Sequence, residues 1–144
     1  MKIYTTYFAK LRMLPENIVP ISIAAKNPPG WNGKAYRPLN PPWYILKNYK
    51  ENSDRNLYVR CYKNIVLRNL IPQKVIQELQ NIACYEEKVV QKSDGYEIEK
   101  QPVEKDIALV CYEKPSDFCH RQVVADWLRD AGYDVQEWHL EIKD

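Results

Sequence analysis

Four residues that follow one apolar segment have side chains that could do chemistry. Cys119, His120 and Arg121 are consecutive, and Glu113 precedes Cys119 by six positions. A cysteine beside a basic residue suits nucleophilic catalysis, and a glutamate suits general acid–base catalysis. An arginine offers a planar fork of donors to a phosphate or a carboxylate. The cluster therefore indicates either a catalytic site or a binding site for an anion.

A buried strand and a helix are expected to position this cluster. The segment Ile107–Tyr112 is a continuous apolar run, which is typical of a central parallel strand. The next segment predicts a helix that is capped by Ser116 or Asp117 and ended by Gly132. In open parallel sheets, ligands bind where strand ends meet helix amino termini. Such a terminus binds anions, and it also favours the thiolate of Cys119.

Two of the catalytic candidates also have simple structural explanations. Neighbouring helical residues point about 100° apart, so His120 is not an evident base for Cys119. His120 shares the inward face with Val124, which predicts a core histidine hydrogen-bonded to a backbone carbonyl. Glu113 and Asp117 could form an acid–base pair or bind a polar ligand, but a salt bridge and a helix cap explain them equally well. The sequence leaves these alternatives open.

Several catalytic signatures are absent from the sequence. A phosphatase loop needs an arginine six positions after its cysteine, but Asp117 and Ala125 stand at those positions after Cys111 and Cys119. The four glycines form neither a GxGxxG motif nor a phosphate-binding GxxxxGK[ST] loop. Because the two cysteines are eight residues apart and His139 lies in the last expected strand, the spacing predicts no metal site, and no cofactor is expected.

Length and composition predict one globular domain over residues 1–144. The four cysteines contain no CxxC pair and follow no secretory signal, so reduced thiols are expected. There is no apolar stretch of eighteen residues, which predicts a cytoplasmic protein without a membrane segment.

The charge is distributed unevenly along the chain. Residues 1–72 carry 12 Lys and Arg against 3 Asp and Glu, whereas residues 73–144 carry 9 against 16. If the basic half forms one face, that face should attract anions. If the two halves interleave in one sheet, their charges partly neutralise each other instead.

The remaining pattern predicts a small α/β domain. The segments KIYTTYFA and NIVPISIAA are typical of strands, and a Pro/Gly-rich loop over residues 26–42 separates them from three helices. The helices are expected near Trp43, after Ser53 or Asp54, and from Pro72. A peripheral hairpin is predicted over residues 85–101, and a last strand after Gly132. The predicted fold is a small, mostly parallel sheet flanked by helices, with a peripheral β-hairpin.

Three segments resemble the DUF488 family, whose members are bacterial and viral domains of undetermined function. They are IYTTYFAKLRMLP, PISIAAKNPPGWNGKAYRPLNPPW and DIALVCYEKPSDFCHRQVVADWL. The block CYEKPSDFCHR is the most specific part of the resemblance, which runs from Ile3 to Gly132. The polar segment Glu86–Lys100 lies outside the usual pattern of the family.

The resemblance implies a compact α/β fold whose motif residues gather in one pocket. It implies no particular reaction. The pocket residues that it implies are Tyr4, Tyr7, Ser22, Tyr112, Glu113, Lys114, Pro115, Cys119, His120 and Arg121.

The first functional hypothesis is binding of a small anionic, nucleotide-like ligand, with sequestration of a signalling nucleotide as one use. The helix amino terminus and Arg121 would hold the anionic group, and aromatic rings of Trp31, Tyr36 or Tyr4 would stack on the base.

Two other hypotheses belong to different classes. The second is a hydrolase or transferase that acts on such a ligand, with Cys119 as the nucleophile or Glu113 as the acid–base group. The third is nucleic-acid binding through the basic half, where YKENSDRNLYVRCYKNIVLR interleaves cations with aromatic residues. Homo-oligomers are compatible with all three.

Overall fold

Seven strands and four α-helices form the computed structural model, which describes residues 1–113 and 117–140. Two short 3₁₀ turns follow the first and third strands, and another follows the second helix. The strands are β1 (Ile3–Tyr7), β2 (Ile18–Ser22), β3 (Lys34–Ala35), β4 (Tyr85–Lys92), β5 (Gly95–Pro102), β6 (Asp106–Cys111) and β7 (Val135–Glu137).

The helices begin where the sequence signals predict, except for the last one. Asp54 caps the second helix by accepting the backbone N–H of Leu57 at 3.1 Å, and Pro72 opens the third. Within the described ranges, no helix is both long and apolar enough to cross a bilayer. The helices are α1 (Trp43–Asn52), α2 (Arg55–Ile65), α3 (Pro72–Ala83) and α4 (His120–Asp130).

The five-stranded sheet is parallel throughout, with the order β3-β2-β6-β1-β7. The apolar strand β6 lies at its centre, where Ile107 is paired with Ile3 of β1 and Val19 of β2. A strand with neighbours on both sides and both faces covered has few positions for polar groups, which explains the run IALVC. The predicted parallel sheet and its flanking helices are confirmed.

Side chains of β6 alternate between two hydrophobic clusters of unequal size. Ile107 and Leu109 belong to the larger core, which contains the buried faces of all four helices. Ala108 points the other way, into a small cluster with Ile18 and Trp138. The larger core therefore fixes the sheet against the helices, including the start of α4.

Strands β4 and β5 form the predicted peripheral hairpin. They pair antiparallel around Ser93 and Asp94, and Gly95 takes a positive φ of 136° at the turn. Val89 and Ile98 face each other across the strands and are 71% and 70% exposed. The hairpin is thus an exposed addition beside the main sheet.

The first residues of α4 differ from the prediction. The residue at the helix cap is Cys119, which has an extended backbone with φ −144° and ψ 151°, so the proposed cap Asp117 was wrong. The Gln122 side chain accepts the backbone N–H of Cys119 at 3.4 Å and donates to the carbonyl of Asp117 at 3.3 Å. The Cys119 side chain accepts the backbone N–H of Gln122, the contact that was expected from an aspartate, and Gln122 completes a capping box. The alternative cap, Ser116, lies outside the described residues.

Core packing makes a direct prediction about stability. Leu109→Ala should lower the free energy of unfolding by about 2–5 kcal/mol, because Leu109 is fully buried and its truncation leaves a cavity. Val89→Ala on the hairpin should change it by less than about 0.5 kcal/mol, since that side chain is exposed. Urea unfolding of the two variants measures both values. An equal loss of free energy of unfolding in the two variants would contradict the description of the hairpin as an exposed addition outside the core.

Candidate functional site

A cavity of about 700 Å³ opens beside the carboxyl end of β6 and the amino terminus of α4. This is the place that the strand and helix pattern predicts for a ligand site. Four of the predicted site residues line it, and several others come from α1, α2 and the loop after β2. The lining residues are Ala24, Ala25, Lys26, Pro41, Leu46, Tyr49, Lys50, Arg55, Tyr58, Cys111, Tyr112, Glu113, Asp117, Phe118, Cys119 and His120.

Three cations of the basic half border the cavity. Lys26 follows β2, Lys50 lies near the end of α1, and Arg55 begins α2. All three are exposed, so they can reach an anion without first being desolvated. Lys50 and Arg55 belong to the segment that was proposed for nucleic-acid binding, whereas Lys26 was not predicted, and only tertiary packing brings the three to one cavity. Part of the excess positive charge of residues 1–72 therefore lies at the edge of this cavity.

An aromatic wall stands next to these cations. The ring of Phe118 packs edge-on against Tyr58, with centroids 5.2 Å apart, and Tyr49 lies 5.5 Å from Phe118. The Arg55 guanidinium is 4.9 Å from the Phe118 centroid, within the range of a cation–π interaction. The pKa of Tyr58 is raised well above that of a free phenol, mainly because the side chain is buried and to a lesser extent because Tyr49 is nearby. The Tyr58 side chain is therefore uncharged. Tyr58 is both buried and part of the cavity wall.

His120 is a buried histidine whose ring has two defined neighbours. Its Nε2 lies 2.6 Å from the backbone carbonyl of Ile23, which confirms the predicted histidine–carbonyl contact. Its Nδ1 lies 3.6 Å from Cys119 Sγ. The expectation that these two side chains would diverge was wrong, because Cys119 has extended cap geometry and is not part of the helix. Burial lowers the pKa of His120 to about 4, so the ring is neutral at pH 7.

The thiols of Cys111 and Cys119 meet at the inner end of the cavity. Their Sγ atoms are in contact, although separate thiols were expected from the sequence. The two Cα atoms lie 7.2 Å apart, beyond the range of about 4.4–6.8 Å that is usual for a disulfide. The two cysteines therefore converge without the backbone separation of a usual disulfide. Cys61 and Cys84 are free and do not line the cavity.

Arg121 does not line the cavity, although it was a predicted ligand-binding residue. Its side chain is fully buried, and Nε and Nη2 donate to the two carboxylate oxygens of Glu137 at 3.0 and 3.1 Å. Nη1 donates to Cys111 Sγ at 3.0 Å and to the carbonyl of Glu113. The guanidinium also lies 5.7 Å from the ring centroid of Tyr7. Arg121 therefore positions the cavity wall from behind it, through the end of β6 and the carbonyl of Glu113.

Tyr112 and Glu113 are exposed at the cavity edge, as is Asp117 across from them. Glu113 and Asp117 thus share the site, and their carboxylates are available to a ligand. The position of Lys114 cannot be compared with its predicted role, since Lys114 and Pro115 lie outside the described residues.

The other predicted ligand-binding residues lie away from the cavity lining. Tyr4 packs against the small cluster on the opposite sheet face, and Tyr7 contacts Arg121. The hydroxyl of Ser22 is bonded to the side chain of Asn27. The structure therefore does not bring these three residues to the cavity.

Trp31 and Tyr36 of the Pro/Gly-rich loop also have other contacts. Trp31 packs edge-on against Phe8 at 5.3 Å, and Phe8 in turn lies 4.9 Å from Tyr112. Tyr36 is buried, and its hydroxyl donates to Glu78. Trp31 is thus connected to the cavity edge only through Phe8, and Tyr36 belongs to the core.

Comparison with known proteins gives a family and nothing more specific. The family model DUF488-N3a, described as the active DUF488-N3 subclade, matches residues 9–132. The chain belongs to the DUF488 family. The match includes the cavity-lining residues from the loop after β2, from α1 and α2, from the end of β6 and from the start of α4, and it confirms the resemblance seen in the sequence. No curated protein and no solved structure matches this DUF488 chain.

The Arg121–Glu137 pair should be a main source of stability at the site. Arg121→Lys keeps the charge but loses the planar fork and hydrogen bonds to the Glu137 carboxylate, so it should lower the free energy of unfolding by about 1.5–3 kcal/mol or more. Asp126→Asn breaks an exposed pair on the same helix and should cost less than about 1 kcal/mol. Chemical unfolding of both variants, with Glu137→Gln to complete a double-mutant cycle, measures the coupling. A loss in Arg121→Lys no greater than in the control would contradict the assigned role.

Proposed function

We propose that this DUF488 protein binds a small anionic, nucleotide-like ligand in the cavity between β6, α2 and α4. The observation that carries the proposal is the placement of three exposed cations beside an aromatic wall on one cavity. A volume of about 700 Å³ lies within the range of about 300–1,000 Å³ that is usual for small-molecule sites. The cytoplasm, where signalling nucleotides occur, is the compartment that we propose for it.

Each part of the cavity fits one part of a nucleotide. Lys26, Lys50 and Arg55 can hold phosphate oxygens, since charge-assisted hydrogen bonds are the strong ones. The rings of Tyr58 and Phe118 offer apolar surface against which a base can pack.

The carboxylates at the edge complete this assignment. Glu113 and Asp117 can accept hydrogen bonds from ribose hydroxyls or from an exocyclic amino group. The exposed groups of the lining include three cations and two carboxylates, so their net charge is positive. A positive net charge favours an anion over a neutral nucleoside.

Arg55 provides the sharpest test of ligand binding. Arg55→Ala should weaken nucleotide binding about tenfold or more, because a hydrogen bond to a charged group contributes about 1.5–3 kcal/mol. The matched control is Arg60→Ala, which removes an exposed arginine from the same helix outside the cavity lining. Titration calorimetry with nucleoside mono-, di- and triphosphates, a nucleoside and inorganic phosphate measures the affinities. Absence of binding to the whole set, or equal losses in both variants, would contradict the proposal.

A second candidate is an enzyme that acts on the same ligand. The 3.6 Å contact between Cys119 Sγ and His120 Nδ1 favours it, because a nucleophile needs a base within reach. Glu113 would be the acid–base group. The description of the subclade as active agrees with an enzyme but names no reaction.

Two substitutions test the catalytic roles. Cys119→Ser and Glu113→Gln should each abolish or strongly reduce turnover of a bound nucleotide while leaving its affinity within about tenfold of wild type, since neither replaces a cavity cation. Product analysis of nucleotide incubations measures turnover. Undiminished turnover in both variants would remove these two residues as catalytic groups. Affinity for DNA or RNA without affinity for mononucleotides would instead favour nucleic-acid binding through the basic half.

A further inference from the structure

We propose that Cys111, Cys119 and His120 bind one Zn²⁺ or similar borderline-soft divalent cation, with an open coordination position directed into the cavity. One ligand atom from each residue lies within 4.8 Å of the other two, and all three residues are buried. The sequence spacing of these residues predicts no such site. They come together only because the end of β6 lies next to the cap of α4 in the folded chain. This inference is independent of whether a nucleotide binds.

The donor set is one that zinc prefers. Two thiolates and one imidazole match the borderline softness of Zn²⁺, whereas Mg²⁺ and Ca²⁺ prefer oxygen ligands. Three protein ligands with a free fourth position are typical of catalytic zinc sites, while structural sites have four. All three residues also line the cavity, so a small molecule can reach the free position.

The orientation of His120 presents one nitrogen to the sulfurs. Its Nε2 lies 2.6 Å from the Ile23 carbonyl, an acceptor, so this nitrogen carries the proton and Nδ1 keeps a free lone pair. The carbonyl is itself fixed, because the N–H of Ile23 donates to Val110 at 3.0 Å. A metal-binding histidine commonly donates its other ring N–H to a backbone carbonyl in this way.

The distance between the Cys119 sulfur and the His120 ring agrees with a shared ion. Zn–S bonds of about 2.3 Å and Zn–N bonds of about 2.1 Å at a tetrahedral angle place sulfur and nitrogen about 3.6 Å apart. The observed distance from Cys119 Sγ to His120 Nδ1 is 3.6 Å. Two Zn–S bonds at the same angle place the sulfurs about 3.8 Å apart. The Sγ atoms of Cys111 and Cys119 are in direct contact in this structure, so they must separate to admit the ion, and a Cα separation of 7.2 Å, beyond the disulfide range, leaves room for this.

The surroundings balance the charges of a loaded site. Binding releases two thiol protons, and the two thiolates then neutralise the 2+ ion. Arg121 donates to Cys111 Sγ at 3.0 Å, and the charge of Arg121 is already balanced by Glu137. The loaded site is therefore neutral overall, as a buried site requires.

The experiment uses the full chain, reduced and freed of metal by a chelator. Titration with Zn²⁺ and with Co²⁺ should give one ion per chain, and bound Co²⁺ should show thiolate-to-metal charge-transfer absorption. Metal binding should weaken more than about 100-fold in each of the variants Cys111→Ser, Cys119→Ser and His120→Gln. This loss is larger than the roughly 10–100-fold that is typical when a residue only hydrogen-bonds to a metal ligand. Cys61→Ser and Cys84→Ser are matched controls, because these cysteines lie outside the cluster, and they should bind like wild type.

Three results would overturn the proposal. They are absence of binding by the reduced wild-type chain, stoichiometric binding that survives all three cluster substitutions, and equal losses in the two control variants. Circular dichroism and thermal unfolding show which variants are folded, and only folded variants count. Calorimetry with a nucleotide on the metal-free and loaded forms separates the two proposals, because one ion bound without nucleotide affinity contradicts only the proposed function.

Discussion

The candidate site depends on one buried guanidinium. Arg121 reaches from α4 to β7 through Glu137, to the end of β6 through Cys111 Sγ, and to the following loop through the carbonyl of Glu113. Glu137 is held in turn by Thr5 of β1, whose hydroxyl donates to it at 2.8 Å. A planar fork of donors can join these groups at once, which a lysine cannot do. Since an unpaired charge in this place would be costly, the contacts of Arg121 keep one strand end, one helix and the intervening loop in a fixed arrangement.

Cys119 connects this framework to the cavity. As the cap of α4 it has extended backbone geometry, so its side chain and that of His120 converge instead of diverging along a helix. The central strand ends with Cys111 beside them, because α4 is the next element after β6 in the chain and begins near the end of that strand. The two sulfurs and the imidazole thus lie buried in the cavity wall, while cations and carboxylates lie at its exposed edge.

Much of the fold could be predicted from local patterns, and much of the site could not. The apolar run of β6, the Asp54 cap and the turn at Gly95 each depend on a few neighbouring residues, and the structure has all three. Three further facts depend on residues far apart in the chain: the burial of Arg121 against Glu137, the approach of Cys111 to Cys119, and the position of Arg55 beside Phe118. An arginine has the same sequence signature whether it binds a phosphate or a carboxylate of its own chain. The partner is decided by tertiary packing, which explains why Arg121 was assigned to the ligand.

Cys119 can act as a nucleophile, coordinate a metal or bond to Cys111, and each of these roles excludes the other two. A thiolate that coordinates a metal is not free to attack a substrate, and a sulfur bonded to Cys111 can do neither. If a metal occupies the cluster, chemistry at the site would pass from the thiol to the ion, whose open position could polarise a ligand oxygen or lower the pKa of a bound water. Glu113 and Asp117 would then be the groups available to accept a proton from that water, since both face the same cavity. Whether the Cys111 and Cys119 sulfurs are free, bound to a metal or bonded to each other therefore decides which catalytic role is possible in this DUF488 domain.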